Sequence, residues 1–522
     1  MPIKKTIPDH IVEYFAPQQA LARYKSRAFI GAYFKGGGYT GASKKRNTIG
    51  NFNPVDGDIN DDTIADLPTL RSRSRDLIRN NAIGGGAVRT IVNYVVGTGL
   101  TMQPAINGAR LGLSNAEAGI WQDDVAERFS AWAESPDCHS ERALNFYGLQ
   151  ALAFRSMLES GDVGSLLAKA PRDGGEQFVV QLIEADRISN PDKKQDTEKL
   201  LAGVEIDANG APLTYHVCNQ NPNNIKSQNR NWTPVPAFGA KTGRRNFWLL
   251  FEHLRPGQLR GIPVLAPVIE PLKQLSRYTE AELQAAVVDG AFAIFMKMDP
   301  DAFQGIFEDA DRADYMKRVN QWDGKYPEAT LEGPGKVVNL LPGEEPIESN
   351  PGRPNSEFDP FVQAIMRQIG SELGLPFEVL IKHYTSSYSA ARAALLDAWR
   401  MFSVRRELVA CYFVQPIYEE WLADQIAHGH IIARGFFEDN MLRRAWSQAN
   451  WIGDGPGSIN PSVEADAAQK RIDMGISTIA AESILYDGID WWTKHKQRSN
   501  EKIQRIKAGL DVPIAANNNS KV

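Results

Sequence analysis

Cysteine is nearly absent from this chain. Its 522 residues hold three, Cys138, Cys218 and Cys411, far apart and without a CxxC pair. An odd, scattered set builds neither a disulfide framework nor a zinc site and points to reduced thiols in a cytosol. An excess of positive charge is missing too: 58 Lys+Arg face 63 Asp+Glu, a net charge of −5. The chain is therefore no cationic nucleic-acid clamp, and any contact with DNA should be weak. No apolar run approaches the ~20 residues of a membrane span. The opening MPIKKTIPDHIVEYFAPQQ lacks the apolar centre of a signal peptide.

Motifs that carry chemistry are missing as well. The nearest phosphate-loop candidate, GGGYTGASK at 36–44, has Ala42 where a lysine should follow the second glycine. There is no GxSxG elbow and no HExxH. His428 and His430 stand without neighbouring Cys or carboxylates, which favours a helix end over a metal site. No cofactor is implied. An active site assembled from distant residues stays open on sequence alone.

What is present is ample core material: 43 % hydrophobic residues, 11 Trp and 22 Phe. A chain this long must divide into several packed units. Residues 1–50 carry Lys4, Lys5, Arg23, Lys25, Arg27, Lys35, Lys44, Lys45 and Arg46 against Asp9 and Glu13 only. This basic arm is either a solvated terminus or a contact for nucleic acid or an acidic partner. Apolar periodicity predicts helices over 67–80, 115–134 and 146–160. Arg71, Arg75 and Arg79 share a face of the first of these, as a grip on a neighbouring subunit or as a solvated stripe.

Residues 163–260 read as β-rich, with strands at 178–183 and 247–251 and a hairpin turning at Asn209-Gly210. A helical period returns over 264–297, with Pro267 and Pro271 bending or delaying its start. An insertion over 298–350 follows, with a helix near 308–322 and a strand near 336–341. Helices are then expected at 358–373 and from 389 into the low 420s, kinked at Pro416. Further helices are expected near 441, at 461–475 and at 479–505, with a glycine-rich turn at 451–457 and a disordered tail over 512–522. The class is α+β, predominantly helical.

One stretch is more specific. Residues 370–406 read GSELGLPFEVLIKHYTSSYSAARAALLDAWRMFSVRR. A helix ends at Gly-Leu-Pro, a polar loop follows, and a long helix opens at Ser-Tyr-Ser-Ala-Ala-Arg. The pattern GLP-x-E-x-L, then Y-x-x-SYS-x-AR and a Trp seven residues on, resembles the lambda-like family of tailed-bacteriophage portal proteins. So do LIRNN at 77–81, VVGTGL at 95–100, IEADRISN at 183–190, PGQLRG at 256–261 and WIGDG at 451–455, in the family's order.

That resemblance implies a non-enzymatic portal fold. It is a closed ring of roughly twelve copies around a channel, each with a wing, a stem, a clip and a crown. Laid on this sequence, the wing follows the arm over 51–263 and resumes over 389–459. The stem helices take 264–295 and 352–379, the clip 296–351, the channel loop 380–388 and the crown 460–511. The implied partners are other copies of the chain, double-stranded DNA held transiently and without sequence preference, the terminase large subunit, a head–tail connector, and the major capsid protein with its scaffold. No membrane is involved. The implied place is the portal vertex of a virion assembled in bacterial cytoplasm.

Expected site residues follow. Lys382, His383, Tyr384, Thr385, Ser386 and Ser387 form the channel loop, touching phosphates without reading bases. Glu270, Lys273, Arg277, Glu280, Glu282 and Asp289 on the first stem helix either line the lumen or pair between subunits. Phe303, Phe307, Tyr315, Trp322 and Tyr326 are too many aromatics for so small a clip to bury, and are expected at its interfaces. The competing class is an enzyme of packaging or head maturation: a nuclease, protease or ATPase.

Overall fold

The computed structural model describes residues 14, 16–19, 25, 48, 51–54, 56–173, 175–224, 229–291, 295–298, 344–347, 357–384, 387–457, 460–489 and 491–511. Residues 1–58 and 59–522 separate as two compact units, and the elements that follow belong to the second.

After a short helix α1 (Ile59–Thr63), α2 (Leu67–Asn80) opens with Pro68 in its first turn and buries Leu67, Leu77 and Ile78. Asn81 turns the corner. Its N–H bonds Leu77 O and ends α2, while its side chain accepts from Gly84 N at 2.7 Å and caps α3 (Ala82–Val95). Gly85 permits the close crossing, because a Cβ there would stand 2.5 Å from the Ile78 carbonyl oxygen. A strand β1 (Thr101–Pro104) and a short turn α4 (Gly108–Leu111) lead to α5 (Asn115–Glu134), which starts with a capping box between Ser114 and Glu117. Asn145 caps α6 (Phe146–Ser160).

The β-rich stretch forms two sheets. In the first, β2 (Asp162–Arg172) lies between β3 (Gly175–Glu184) and β8 (Phe247–Phe251), antiparallel to both. In the second, β4 (Leu200–Leu201), β5 (Val204–Ile206), β6 (Pro212–Cys218) and β7 (Trp232–Pro236) follow in sequence order. All five residues of β8 are buried. Strand alternation sends Trp248 and Leu250 into the main helical core, and Phe247, Leu249 and Phe251 into a second core with Ile183, Ile188 and Tyr215. One strand thus joins the two cores.

A buried charge cluster makes a second joint. The Asp162 carboxylate is fully buried, and accepts from Arg260 Nε at 2.7 Å and Nη2 at 2.9 Å. It also accepts from Arg71 Nη2 at 3.1 Å and from the Gly261 amide at 3.0 Å. Arg260 donates further to the carbonyls of Ile188, Ala202 and Ala185, and Arg71 to Ser160 O. Burial alone would raise the Asp162 carboxyl, but Arg260 and Arg71 together hold it below the usual range. This corrects the reading of the arginine stripe on α2. Arg71 and Arg75 turn inward, Arg75 pairing with Asp186 and Glu184, and only Arg79 stays exposed. A helix face bearing two arginines looks solvated until acids remote in sequence are folded against it.

From 264 the prolines delay the helix as expected. A 3-10 turn (Ala266–Val268) precedes α7 (Ile269–Ala291). The helix is shorter than the predicted 264–297: Phe295–Met298 is strand β9, paired antiparallel with β10 (Glu344–Ile347) so that Phe295 faces Ile347 and Met298 faces Glu344. The insertion therefore leaves and returns through one two-stranded stalk. Its expected helix at 308–322, strand at 336–341 and five aromatics lie outside the described residues, as does the tail.

Beyond it, α8 (Phe358–Leu373) packs along α7, with Tyr278 set against Phe358 and Phe361 at 5.5 and 5.2 Å. A short helix α9 (Phe377–Ile381), not foreseen, precedes α10 (Tyr388–Val409). A π-turn (Ala410–Val414) then joins α10 to α11 (Gln415–Ala427), and its Gln415 N–H reaches back five residues to Ala410 O. Pro416 has no N–H to give the Tyr412 carbonyl four residues back. The Trp248 indole N–H supplies that bond instead, at 2.8 Å. Trp248→Phe should therefore lower the thermal midpoint by the equivalent of about 1–3 kcal/mol. An unchanged midpoint would show the bond to be idle.

Phe129, Trp132, Phe146, Tyr418 and Trp421 interlock where α5, α6 and α11 meet, with ring centroids 5.0–6.3 Å apart. The chain closes through α12 (Asn440–Trp446) and β11 (Ala449–Ile452), which pairs with β1. Then come α13 (Pro461–Asp473), α14 (Ile479–Asp487) and α15 (Trp491–Lys507). The single helix expected over 479–505 is thus two. Gly488, at φ +73°, ends α14 where a Cβ would stand 2.5 Å from Gly453 O.

Candidate channel loop

The loop between α9 and α10 is held firmly at both ends. On the incoming side, α8 stops at Gly374 in the left-handed conformation, and Leu375 N bonds Gly370 O at 2.8 Å. Met401 of α10 packs on Gly374, its Cε only 2.9 Å from where a Cβ would be. Pro376 then starts α9, which buries Val379 and Leu380 and lies on α3. The Arg367 guanidinium covers the Phe377 ring at 5.1 Å. Lys382, itself left-handed at φ +56°, closes α9 through its N–H to Glu378 O. On the outgoing side Ser387 caps α10, its Oγ accepting from Ala390 N.

Between those clamps Lys382, His383, Tyr384 and Ser387 are exposed, while Thr385 and Ser386 lie outside the described residues. Partial burial, and then Tyr94 and Glu378, push the Tyr384 phenol up. At neutral pH it remains a neutral hydroxyl that can donate to an anion. Tyr94 belongs to an aromatic shelf that sequence reasoning did not name. Its ring stacks on Phe402 at 4.9 Å and meets Trp399 edge-on at 6.4 Å. Arg406 donates to Tyr94 O and Val95 O, both at 2.9 Å, and lies 5.1 Å over Trp399. It satisfies the last carbonyls of α3, where a cation suits the helix dipole. The tryptophan of the loop motif was the available signal for this shelf.

The expected stem charges all lie on α7. Glu270, Lys273, Arg277 and Glu280 stand exposed on α7, opposite the buried Leu272 and Leu275, and Glu282 is half covered. Among the described residues Glu270 accepts from its own helix, from Gln274 at 3.0 Å. The Asp289 side chain lies outside the described residues. Apolar side chains share these long helices in the open: Leu283 and Val287 on α7, Phe361 on α8, Leu396 and Val404 on α10, each at least half exposed. Single exposed leucines need no explanation, but several large apolar side chains on three helices are what a contact surface would present.

Among the described residues no helix is long and apolar enough to cross a membrane. Two curated relatives span almost the whole chain. The "Portal protein" of Escherichia phage N15 is 27 % identical over 94 % of this chain and 93 % of its own. "Portal protein B" of Escherichia phage lambda is 26 % identical over 94 % and 92 %. Among solved structures, a chain in the neck of an empty gene transfer agent particle matches with a TM-score of 0.45 at 15 % identity, covering 83 % of this chain and 94 % of that one. A chain in the virion of a native gene transfer agent particle gives 0.44 at 13 %, covering 80 % and 92 %. The family described as "Phage portal protein, lambda family" matches residues 45–406, well over half of the 522 and inclusive of the clamped loop; the chain belongs to the lambda family of phage portal proteins.

Proposed function

We propose that this chain closes into a ring of roughly twelve copies at one vertex of a phage capsid, and that double-stranded DNA enters and leaves through the ring. The ring is a structural conduit rather than an enzyme. It starts head assembly with the major capsid protein and scaffold, docks the terminase large subunit during packaging, and later holds the head–tail connector. The observation that carries this reading is the set of exposed apolar side chains on α7, α8 and α10, in a chain of the portal family. A subunit that ends as a monomer has no use for them. Helices α7 and α8 serve as the stem, the segment beyond the β9–β10 stalk as the clip, and α13–α15 as the crown. At −5 per chain, such a ring carries roughly −60, which keeps DNA from sticking to the walls.

Native mass spectrometry with negative-stain imaging tests the ring. A closed ring with a central hole is expected. Monomers or dimers alone, at every salt concentration tried, would remove the proposal.

The loop at 382–387 is assigned to the lumen. Its ends are fixed, and its exposed Lys382, His383 and Tyr384 can meet passing phosphates. Lys382→Glu and Tyr384→Ala should leave ring and procapsid formation unchanged while shortening the DNA packaged or retained. If both variants package full-length genomes at the normal rate, the loop does not touch the DNA.

A further inference from the structure

Helix α15, like the N-terminal arm, is strongly basic. Its 17 residues hold Lys494, Lys496, Arg498, Lys502, Arg505 and Lys507 against Glu501 alone, in a protein whose net charge is −5. Its start is fixed to the body. Lys494 Nζ donates to Ser483 Oγ at 2.8 Å and to Asp487 at 2.5 Å, on α14. Lys496 pairs with Asp123 of α5 at 2.8 Å, and His495 stacks on Trp491 at 4.8 Å. Past that anchor almost nothing of the helix is covered: residues 495–505 are exposed on every side.

Three kinds of partner take a basic helix: a membrane surface, a groove on another protein, and a polyanion. The first two need a continuous apolar face. Residues 493–502, TKHKQRSNEK, contain no aliphatic or aromatic hydrophobe, so the middle of α15 has no such face. A polyanion needs only repeated cations, and the helix has them in register. Arg498, Lys502 and Arg505 fall at i, i+4 and i+7, on one face over about 10 Å. Among the described residues Arg505 pairs with Asp511, in a partly exposed surface pair that a phosphate can compete for.

We infer that the outer part of α15, through Arg498, Lys502, Arg505 and Lys507, binds the phosphate backbone of duplex DNA without regard to sequence. The choice of DNA as the polyanion rests on the portal reading above. Each copy alone would bind weakly, but a ring repeats the helix once per subunit, and linked weak contacts add to a firm hold. The same chain then has a DNA-repelling net charge and a DNA-holding crown. The two do not conflict, because screening confines each to its own surface.

The test uses assembled rings, checked by native mass spectrometry. Fluorescence anisotropy with a labelled random-sequence duplex is measured across a sodium chloride series, for the unaltered ring and for Arg498→Gln/Lys502→Gln/Lys507→Gln. Glutamine keeps the helix, since its propensity is close to that of Lys and Arg, and circular dichroism confirms it. The variant should bind about tenfold or more weakly at low salt. The salt slope should fall by about 0.9 for each phosphate contact removed. Equal affinity and slope for the two proteins would overturn the inference, and so would stronger binding to phosphatidylserine vesicles than to duplex. An unaltered ring that binds no DNA overturns it too, while leaving the ring reading intact. A loss caused by Lys382→Glu, but not by the α15 variant, would move the contact to the loop.

Discussion

Asp162→Asn is expected to cost about 3–5 kcal/mol and to remove most of the soluble protein. The substitution barely changes shape. It removes the carboxylate shared by two guanidiniums, Arg71 and Arg260, whose side chains are 6 % and 1 % exposed; Arg71 keeps a second partner in Asp186 at 3.4 Å. Water cannot take over at such a site, so Arg260 would be left buried without its paired carboxylate and Arg71 with Asp186 alone. The damage should spread, because Arg260 also holds the carbonyls of Ala185, Ile188 and Ala202 and Arg71 ties α2 to the end of α6. Asp186→Asn, at a carboxylate nearer the surface, should cost clearly less. The folded-state carboxyl of Asp162 is depressed. Its contribution is therefore present above the ordinary carboxylate range and lost as pH falls through the folded value. The gap in thermal midpoint between the natural protein and Asp162→Asn should be full at pH 7 and shrink in acid. A shift of under about 1 kcal/mol at pH 7 would mean that the cluster is not what joins the helical and β units.

This cluster is also where sequence reasoning failed, and the reason is physical. Charge on a helix face is a local signal, whereas the acids that meet Arg71 and Arg75 lie 91–115 residues further on. Strand β2 was missed for a related cause. Its DVGSLLAKAPR has small residues where a strand is expected to show branched ones. The small residues are needed: a Cβ on Gly164 would meet the Phe247 ring at 2.5 Å and Ile188 at 2.9 Å. The end of α7 was misjudged because AFAIFMKM over 291–298 is apolar but for Lys297, and such a run fits helix and strand alike. What was legible had local punctuation. The bounds of α2, α5, α6 and α8 agree with expectation because Pro68, Ser114, Asn145 and Gly374 mark their ends. The candidate loop was legible for the same reason, since Gly374, Pro376 and Ser387 define it. Its supporting shelf of Tyr94, Trp399, Phe402 and Arg406 was not, because it unites α3 with α10, some 311 residues apart.

Excising the segment beyond the β9–β10 stalk, proposed above as the clip, should abolish packaging without unfolding the subunit. The antiparallel pairing of β9 with β10 sets Met298 directly opposite Glu344. Residues 299–343 can therefore be replaced by Asn-Gly, whose type I′ turn closes a two-residue hairpin with the twist of its strands. Such a stalk leaves α7 and α8 in their present register, and their packing through Tyr278, Phe358 and Phe361 does not use the removed segment. The subunit should express and melt as before. The removed segment carries Phe303, Phe307, Tyr315, Trp322 and Tyr326, an aromatic load suited to a surface that meets neighbours and partners. If it is the platform for the terminase and the connector, heads built on the shortened subunit remain empty even where procapsids form. Should the shortened subunit fail to close its ring, Trp322→Ser alone asks the same question with the segment kept. DNA-filled heads at normal numbers from both variants would place the docking surface elsewhere on the ring.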